Sequence, residues 1–325
     1  MNLLAQLDLP GLAKDLDRVE VALRRAVSSE DAFLTEVATH LVAAGGKRLR
    51  PALAVASAAA AGRPTTDAVI DGAASVELVH LGSLYHDDVI DEATSRRGVP
   101  SVNARWGNLV AIVAGDFLLA RASEIAASLG TEVSGLLAAT IGRLCEGEVG
   151  ELQYAYNASR PESAYFDAIA GKTASLIATS CRIGGLAADA PSPHIDALTA
   201  FGQSFGMAFQ IWDDILDLVC TDAALGKPAG HDIVEGVYTL PVIRALATPS
   251  IGDELRALLG SPLDSPTRDK VRDLVRATDA MVASVVAARR YADQAADALT
   301  PLGDSATVHS LANLGHRMLD ELEVG

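Results

Sequence analysis

Cysteine is scarce in this chain. There are three, Cys145, Cys181 and Cys220, odd in number and far apart. No disulfide framework or zinc spacing follows, and a reducing compartment is the natural setting. All three are expected as ordinary buried helix residues. Aromatic residues are also sparse, at 4 %, and period-two alternation is almost missing, so strands have little to be built from. Cations are outnumbered: 26 Lys and Arg stand against 42 Asp and Glu, for a formal net charge of −16. A surface of that sign excludes nucleic acid as a partner, because phosphate backbones need clustered cations. It excludes a polybasic membrane anchor for the same reason. Long hydrophobic runs are missing too. The stretches Pro51–Gly62 and Leu109–Ala122 are short or interrupted by Asp116, below the ~18 residues that span a bilayer. No positive region precedes an apolar run at the start, so a signal peptide is not expected and a cytoplasmic location is.

What the 325 residues do contain is apolar mass, 50 % of the chain, dominated by Ala and Leu. Those are the strongest helix formers. Helical periodicity runs nearly from end to end. It is broken at Gly45-Gly46, Gly62-Arg63-Pro64, Gly98-Val99-Pro100, Ser159-Arg160-Pro161, Pro191–Pro193, Gly226-Lys227-Pro228 and Thr248-Pro249, because Gly and Pro interrupt helix hydrogen bonding. No repeat or low-complexity linker divides the chain. The expectation is an all-α fold: about ten or more helices in one large bundle around a central apolar cavity, a single domain over residues 1–325.

Two expected helices end alike. One covers Thr66–Glu92 and carries Asp87-Asp88-Val89-Ile90-Asp91. The other covers His194–Cys220 and carries Asp213-Asp214-Ile215-Leu216-Asp217. Asp87 and Asp91 are four apart, hence one turn apart on one face, and Asp213 and Asp217 repeat this. A helix C-terminus is already partly negative, so stacked carboxylates there call for a cation. Their hard oxygens suit Mg²⁺, which commonly bridges a few carboxylates to substrate phosphates. A single motif of this kind is weak, and the bland alternative is two solvated acidic helix ends. Two copies flanked by basic loops are far more specific.

The basic residues supply that flank. Lys47, Arg48 and Arg50 follow two glycines, which allow close backbone approach to a phosphate. Taken alone, such a run is more often a solvated loop. Arg96 and Arg97 follow the first cluster. Lys172 and Thr173 lie in an apolar stretch expected as a helix over Ala168–Gly185, where Lys needs a partner. Lys227 and Asp232 follow the second cluster. His80 lies seven residues before Asp87 on the same face, and by itself reads as a satisfied core histidine.

With these runs in place, the sequence resembles the trans-prenyl diphosphate synthases, the polyprenyl synthetase family, of the bacterial long-chain type. The matching runs are GGKRLRP (45–51), ELVHLGSLYHDDVIDEATSRRGVPSVN (77–103), AGDFLLARA (114–122), GKTASL (171–176), GMAFQIWDDILDL (206–218), LGKPAGHDIVEG (225–236) and TLP (239–241). The resemblance implies the isoprenoid synthase type of helical bundle and a homodimer. It implies head-to-tail condensation of isopentenyl diphosphate with an allylic prenyl diphosphate. Asp87, Asp91 and Asp213 would bind about three Mg²⁺, with Asp88, Asp214 and Asp217 in support. Arg96, Lys172 and Lys227 would contact the allylic diphosphate. Lys47, Arg50, His80 and Arg97 would bind isopentenyl diphosphate. Thr173 and Gln210 would lie near the reacting carbons. One departure stands out. Where the family has Lys in E-G-K-x-T-L-P, this chain has Val237, so a cation over the allylic diphosphate is lost and weaker allylic binding is expected.

Product length is read from the face of the first helix below Asp87. Gly82 and Ser83 are small, and Val79 and Ser75 continue the face, so no aromatic floor stands there. From Asp87 to Ser75 is ~18 Å of helix. A long product of about six to ten isoprene units is expected, with Tyr85 and residues of neighbouring helices the candidates to narrow the path. Rival readings are a class I terpene cyclase, which does not need the isopentenyl diphosphate set; a non-catalytic or partner-dependent subunit, which typically loses an aspartate cluster; and a purely structural bundle.

Overall fold

Short polar residues start the helices, and alanine lets them close together. In the computed structural model, which describes residues 3–7, 9–220 and 229–322, Asp31 accepts from the Leu34 N–H at 2.9 Å, Thr66 from Val69 at 3.3 Å and Asp264 from Thr267 at 2.9 Å. Each such cap is worth ~1 kcal/mol. The helices in order are α1 (Leu12–Ala26), α2 (Ala32–Ala43), α3 (Leu49–Ala60), α4 (Asp67–Ile90), α5 (Val102–Trp106), α6 (Asn108–Ser128), α7 (Thr131–Leu152), α8 (Glu162–Ile169), α9 (Ser175–Ala187), α10 (Ser192–Val219), α11 (His231–Val234), α12 (Leu240–Leu246), α13 (Gly252–Leu258), α14 (Ser265–Arg276), α15 (Ala280–Ala298) and α16 (Ala306–Asp320). Thus α4 and α10 fall within two residues of the ranges read from the sequence. No helix among the described residues is long and apolar enough to cross a membrane.

The chain gathers into two compact units. The first comprises Met1–Gly142, Leu176–Gly202 and Ala298–Leu311. Its core is built on α3, buried almost throughout, and on the middle of α4, buried without a break from Gly72 to Val79. Small side chains carry the packing. A Cβ on Gly184 of α9 would run into the backbone of Ala54 in α3, and one on Gly115 of α6 would run into the His86 ring on α4. The second unit comprises Arg143–Ser175, Gln203–Asp297 and Ala312–Gly325. Its core is aromatic, with Trp212, Tyr165, Tyr238 and Phe205 all buried to 1 % or less. Burying one large apolar side chain contributes roughly 1.5–3 kcal/mol.

Three local expectations need correction. The stretch expected as one helix over 168–185 is α8, a π turn at Ala170–Ala174 and then α9. A π turn inserts one residue without breaking the apolar run, so periodicity does not reveal it. Strand is present as one minimal hairpin, β1 (Ser95–Arg96) paired antiparallel with β2 (Val99–Pro100). Of the three free cysteines only Cys181 is buried. Cys145 is exposed and Cys220 half-buried; Cys145 shares the outward stripe of α7 with Gly142 and Val149.

Candidate active site

The first unit holds one half of the expected residues. The hairpin between β1 and β2 turns at Arg97 and Gly98, both at positive φ (54° and 76°). A two-residue turn of that kind matches strand twist, and it folds Arg96 back onto the end of α4. There Arg96 Nε and Nη2 both reach Asp88 Oδ1 at 2.7 Å. Asp88 is fully buried. Burial raises its carboxyl pKa, and Arg96 only partly opposes the rise. Its second oxygen, Oδ2, is buried with no hydrogen-bond partner. Asn103 Nδ2 donates to the Asp88 carbonyl at 2.8 Å and closes the helix end. Asp87 is half-buried, and Asp91 is exposed as the C-cap residue.

The cations of the glycine loop divide by role. Lys47 is exposed and Arg50 half-buried. Arg48 points inward: it pairs with Glu20, with Glu77 Oε1 at 2.9 Å, and donates to the Val42 carbonyl at 3.0 Å. Burial would depress this guanidinium, but the two glutamates override that and hold it charged. Arg97 donates to the carbonyls of Leu41, at 3.1 Å, and Gly45. Its guanidinium lies over Gly46, where a Cβ would come within 2.7 Å of Cζ and where φ is +149°, so a side chain there would be strained. His80 is half-buried. Burial first, then the charges of Arg50, Arg97, Arg96 and Arg48, hold its imidazole well below the ordinary range. It is neutral at pH 7 and offers a hydrogen bond, not a charge.

The chain-length residues also lie in this unit. Ser75, Val79 and Gly82 are buried and Ser83 is half-buried. A Cβ on Gly82 would meet the Gly115 carbonyl at 3.1 Å and Leu119 at 3.2 Å. Ser75 and Ser83 donate to the carbonyls of Gly72 and His80 at 2.8 and 2.9 Å. Tyr85 is committed elsewhere, its hydroxyl donating to the Val37 carbonyl of α2 at 2.8 Å.

The second unit holds the other half. Asp213 is exposed on α10, while Asp214 and Asp217 are buried. The Asp232 N–H reaches Asp217 Oδ2 at 3.3 Å. Gln210, one turn before Asp214, donates to Asp214 Oδ1 at 2.8 Å and accepts from Thr173 at 2.7 Å. Tyr165 donates to Asp214 Oδ2 at 2.5 Å. Burial pushes the Asp214 carboxyl up to about 7 against both hydrogen bonds. Lys172 emerges from the π turn, where Gly171 and Gly147 cross so closely that a Cβ on Gly171 would sit 2.9 Å from Gly147 Cα. The partner that Lys172 needs is a pair of glutamates on α7, Glu148 at 2.7 Å and Glu151 at 2.8 Å. Burial would lower its pKa, but Glu151 and Glu148 more than reverse this, so the ammonium stays charged. Lys227 lies outside the described residues.

Sequence reasoning missed Glu77, Glu148, Glu151 and Tyr165 as neighbours of these groups. Glu148 and Glu151 stand three apart on α7, a spacing that puts them on one face, but nothing local pairs them with Lys172. Among the described residues no three acidic, His or Cys side chains converge to hold a metal by themselves. The carboxylate set and the orphaned Asp88 Oδ2 fit Mg²⁺.

Comparison with known proteins points one way. Residues 31–278 match the family model described as polyprenyl synthetase. The chain is 43 % identical to heptaprenyl diphosphate synthase component 2 of Geobacillus stearothermophilus, over 87 % of this chain and 88 % of that one. It is 39 % identical to nonaprenyl diphosphate synthase of Mycobacterium tuberculosis, over 91 % and 89 %. Among solved structures, geranylgeranyl pyrophosphate synthase from Corynebacterium glutamicum, complexed with calcium and isoprenyl diphosphate, superposes with a TM-score of 0.85 at 39 % identity, covering 97 % of this chain and 98 % of that one.

Proposed function

The chain belongs to the polyprenyl synthetase family, and from that premise we propose that it makes a long all-trans product, about six to ten isoprene units by the depth of the α4 face. It is a prenyltransferase that condenses isopentenyl diphosphate head-to-tail with an allylic prenyl diphosphate. The observation that carries this reading is the end of α4, where Asp87, Asp88 and Asp91 stand with Arg96, while the adjoining cations Arg50 and Arg97 flank a neutral His80. An acidic chain that assembles cations beside carboxylates is built for metal and diphosphate together.

Asp87, Asp91 and Asp213 would hold the metal, about three Mg²⁺ as in the family pattern. Held there, the metal would supply neutralisation of the leaving diphosphate. Arg96 and Lys172, with Lys227, take the allylic diphosphate. Lys47, Arg50 and Arg97 hold isopentenyl diphosphate, and neutral His80 hydrogen-bonds it. When the allylic C–O bond breaks, its electron pair leaves with diphosphate, the isopentenyl double bond attacks the cationic carbon, and the proton then lost passes to the released diphosphate. Thr173 and Gln210, hydrogen-bonded to each other, would lie near the reacting carbons. Val237 leaves allylic binding weaker than in relatives with Lys. The units act as one domain, in the cytoplasm. Leu109, Ile112 and Val113 of α6 are exposed, and this apolar face is the contact for a second copy in a homodimer.

A second reading, dependence on a partner chain, is favoured by Val237 and by the relative named as component 2. The test is incubation of the purified chain with Mg²⁺, labelled isopentenyl diphosphate and geranyl, farnesyl or geranylgeranyl diphosphate, followed by sizing of the dephosphorylated products. Products longer than four isoprene units support the long-chain reading. Products that stop at three or four units sink it but keep the enzyme class. No turnover with any primer favours the partner-dependent reading, and Val237→Lys is then the variant to assay.

A further inference from the structure

Asp214 is bound on both sides by protein donors before any ligand arrives. Gln210 Nε2 serves Oδ1 at 2.8 Å and the Tyr165 hydroxyl serves Oδ2 at 2.5 Å. Gln210 accepts in turn from Thr173 at 2.7 Å. The result is one hydrogen-bonded chain, Thr173–Gln210–Asp214–Tyr165, running from the π turn through α10 to α8. Its terminus is rigid. Tyr165 is 1 % exposed, its ring meets Phe166 edge-on at 5.3 Å, and the Arg160 guanidinium lies over it at 5.6 Å. Arg160 is itself buried and donates to the Tyr238 carbonyl at 3.2 Å.

A helix turns about 100° per residue. Fixing Asp214 inward therefore fixes the direction of Asp213, the exposed residue before it. We propose that Tyr165 is a positioning residue for prenyl transfer: by tying Asp214 down it sets the rotation of α10 that presents Asp213 to the metal, and it holds Gln210 and Thr173 in line through the same chain. This rests on the reading of Asp213 as a metal ligand. It makes Tyr165 a residue that touches neither substrate nor metal, yet tunes the affinity for metal and allylic diphosphate without touching the isopentenyl diphosphate residues Lys47, Arg50, His80 and Arg97.

The experiment compares the full wild-type chain with Tyr165→Phe, Asp213→Asn, Asp214→Asn and the double variant Tyr165→Phe/Asp214→Asn. Mn²⁺ binding in the presence of inorganic diphosphate is read by electron paramagnetic resonance, steady-state constants are measured for both substrates, and folding is checked by circular dichroism. Tyr165→Phe is expected to weaken Mn²⁺ binding and raise the allylic KM by about tenfold, the scale of a lost hydrogen bond to a charged group. The KM for isopentenyl diphosphate should move less than about twofold. The double variant should be no worse than Tyr165→Phe, because both break the same tie. Unchanged Mn²⁺ affinity in Tyr165→Phe, alongside a loss in Asp213→Asn, overturns the role of Tyr165 alone. Unchanged affinity in Asp213→Asn overturns the metal reading and this inference with it. An equal rise in both KM values, or strictly additive effects in the double variant, reduces Tyr165 to a packing residue. Should Tyr165→Phe not fold, Asp214→Asn weakens the same tie from the acceptor side by removing the charge that Tyr165 binds: a loss of Mn²⁺ affinity with the KM for isopentenyl diphosphate unmoved supports the proposal, and Mn²⁺ affinity unchanged from wild type overturns it.

Discussion

Three cations in one run, Lys47, Arg48 and Arg50, end in three environments, and burial is what separates them. Arg48 is 7 % exposed and its partner Glu77 only 1 %. Removing one member of a buried pair strands the other charge. Arg48→Met is expected to destabilise the fold by about 3–5 kcal/mol, read by urea denaturation, and Arg48→Met/Glu77→Leu should recover part of that. His80 gives a pH prediction. Its folded pKa lies below the unfolded value near 6.5, so under acid the unfolded chain binds the proton first. Stability should therefore be full above pH about 6.5 and fall as pH drops below it. His80→Gln removes that contribution, so its stability should decline less steeply than wild type between pH about 6.5 and 5 in substrate-free, metal-free denaturation. The family resemblance implies a diphosphate contact for Arg96, and the Arg-Arg-Gly run places it after the first aspartate cluster. Its bond to Asp88 was not legible in the sequence, because it depends on the turn that brings β1 back to α4.

At the scale of elements, glycine decides what can cross. Gly147 meets the backbone of Lys172 where α7 passes the π turn, and a Cβ there has no room. Gly147→Ala should displace the π turn from Glu148 and Glu151. It should lower the melting temperature by several degrees, the scale of ~1–3 kcal/mol of overpacking, and raise the allylic KM. A Cβ on Gly135, in the same helix, would meet nothing within 4 Å. Gly135→Ala should instead stabilise by about 0.5–1 kcal/mol, as expected in a helix interior. The two variants share a sequence context of helix glycine and differ only in what lies opposite. For the same reason the long helices α4 and α10 were legible from caps, period and glycine breaks, while the π turn was not.

At the scale of the whole molecule, acidity and small side chains set the behaviour. Activity should vanish with excess chelator and return with Mg²⁺, since neighbouring carboxylates alone cannot neutralise a diphosphate. The exposed Leu109, Ile112 and Val113 give a prediction for assembly. Wild type should sediment as two chains, and Leu109→Lys/Val113→Lys should shift it toward one, because burying two ammonium groups is costly. Product length is tested at Gly82. Gly82→Phe has no space between α4 and Leu119, so any active protein it yields should stop at shorter products than wild type, sized by chromatography.

The sequence alone determined the fold class, the two aspartate helix ends and the cationic residues, because period, capping and short motifs are local properties. It also determined the departure at Val237. Only the tertiary structure decided which of those charges face each other. Arg48 turns to Glu20 and Glu77, Arg96 to Asp88, Lys172 to Glu148 and Glu151, and Asp214 to Tyr165. These pairings join residues up to 49 positions apart. Helix crossings set by close backbone contact bring them together, and no spacing along a single helix records that.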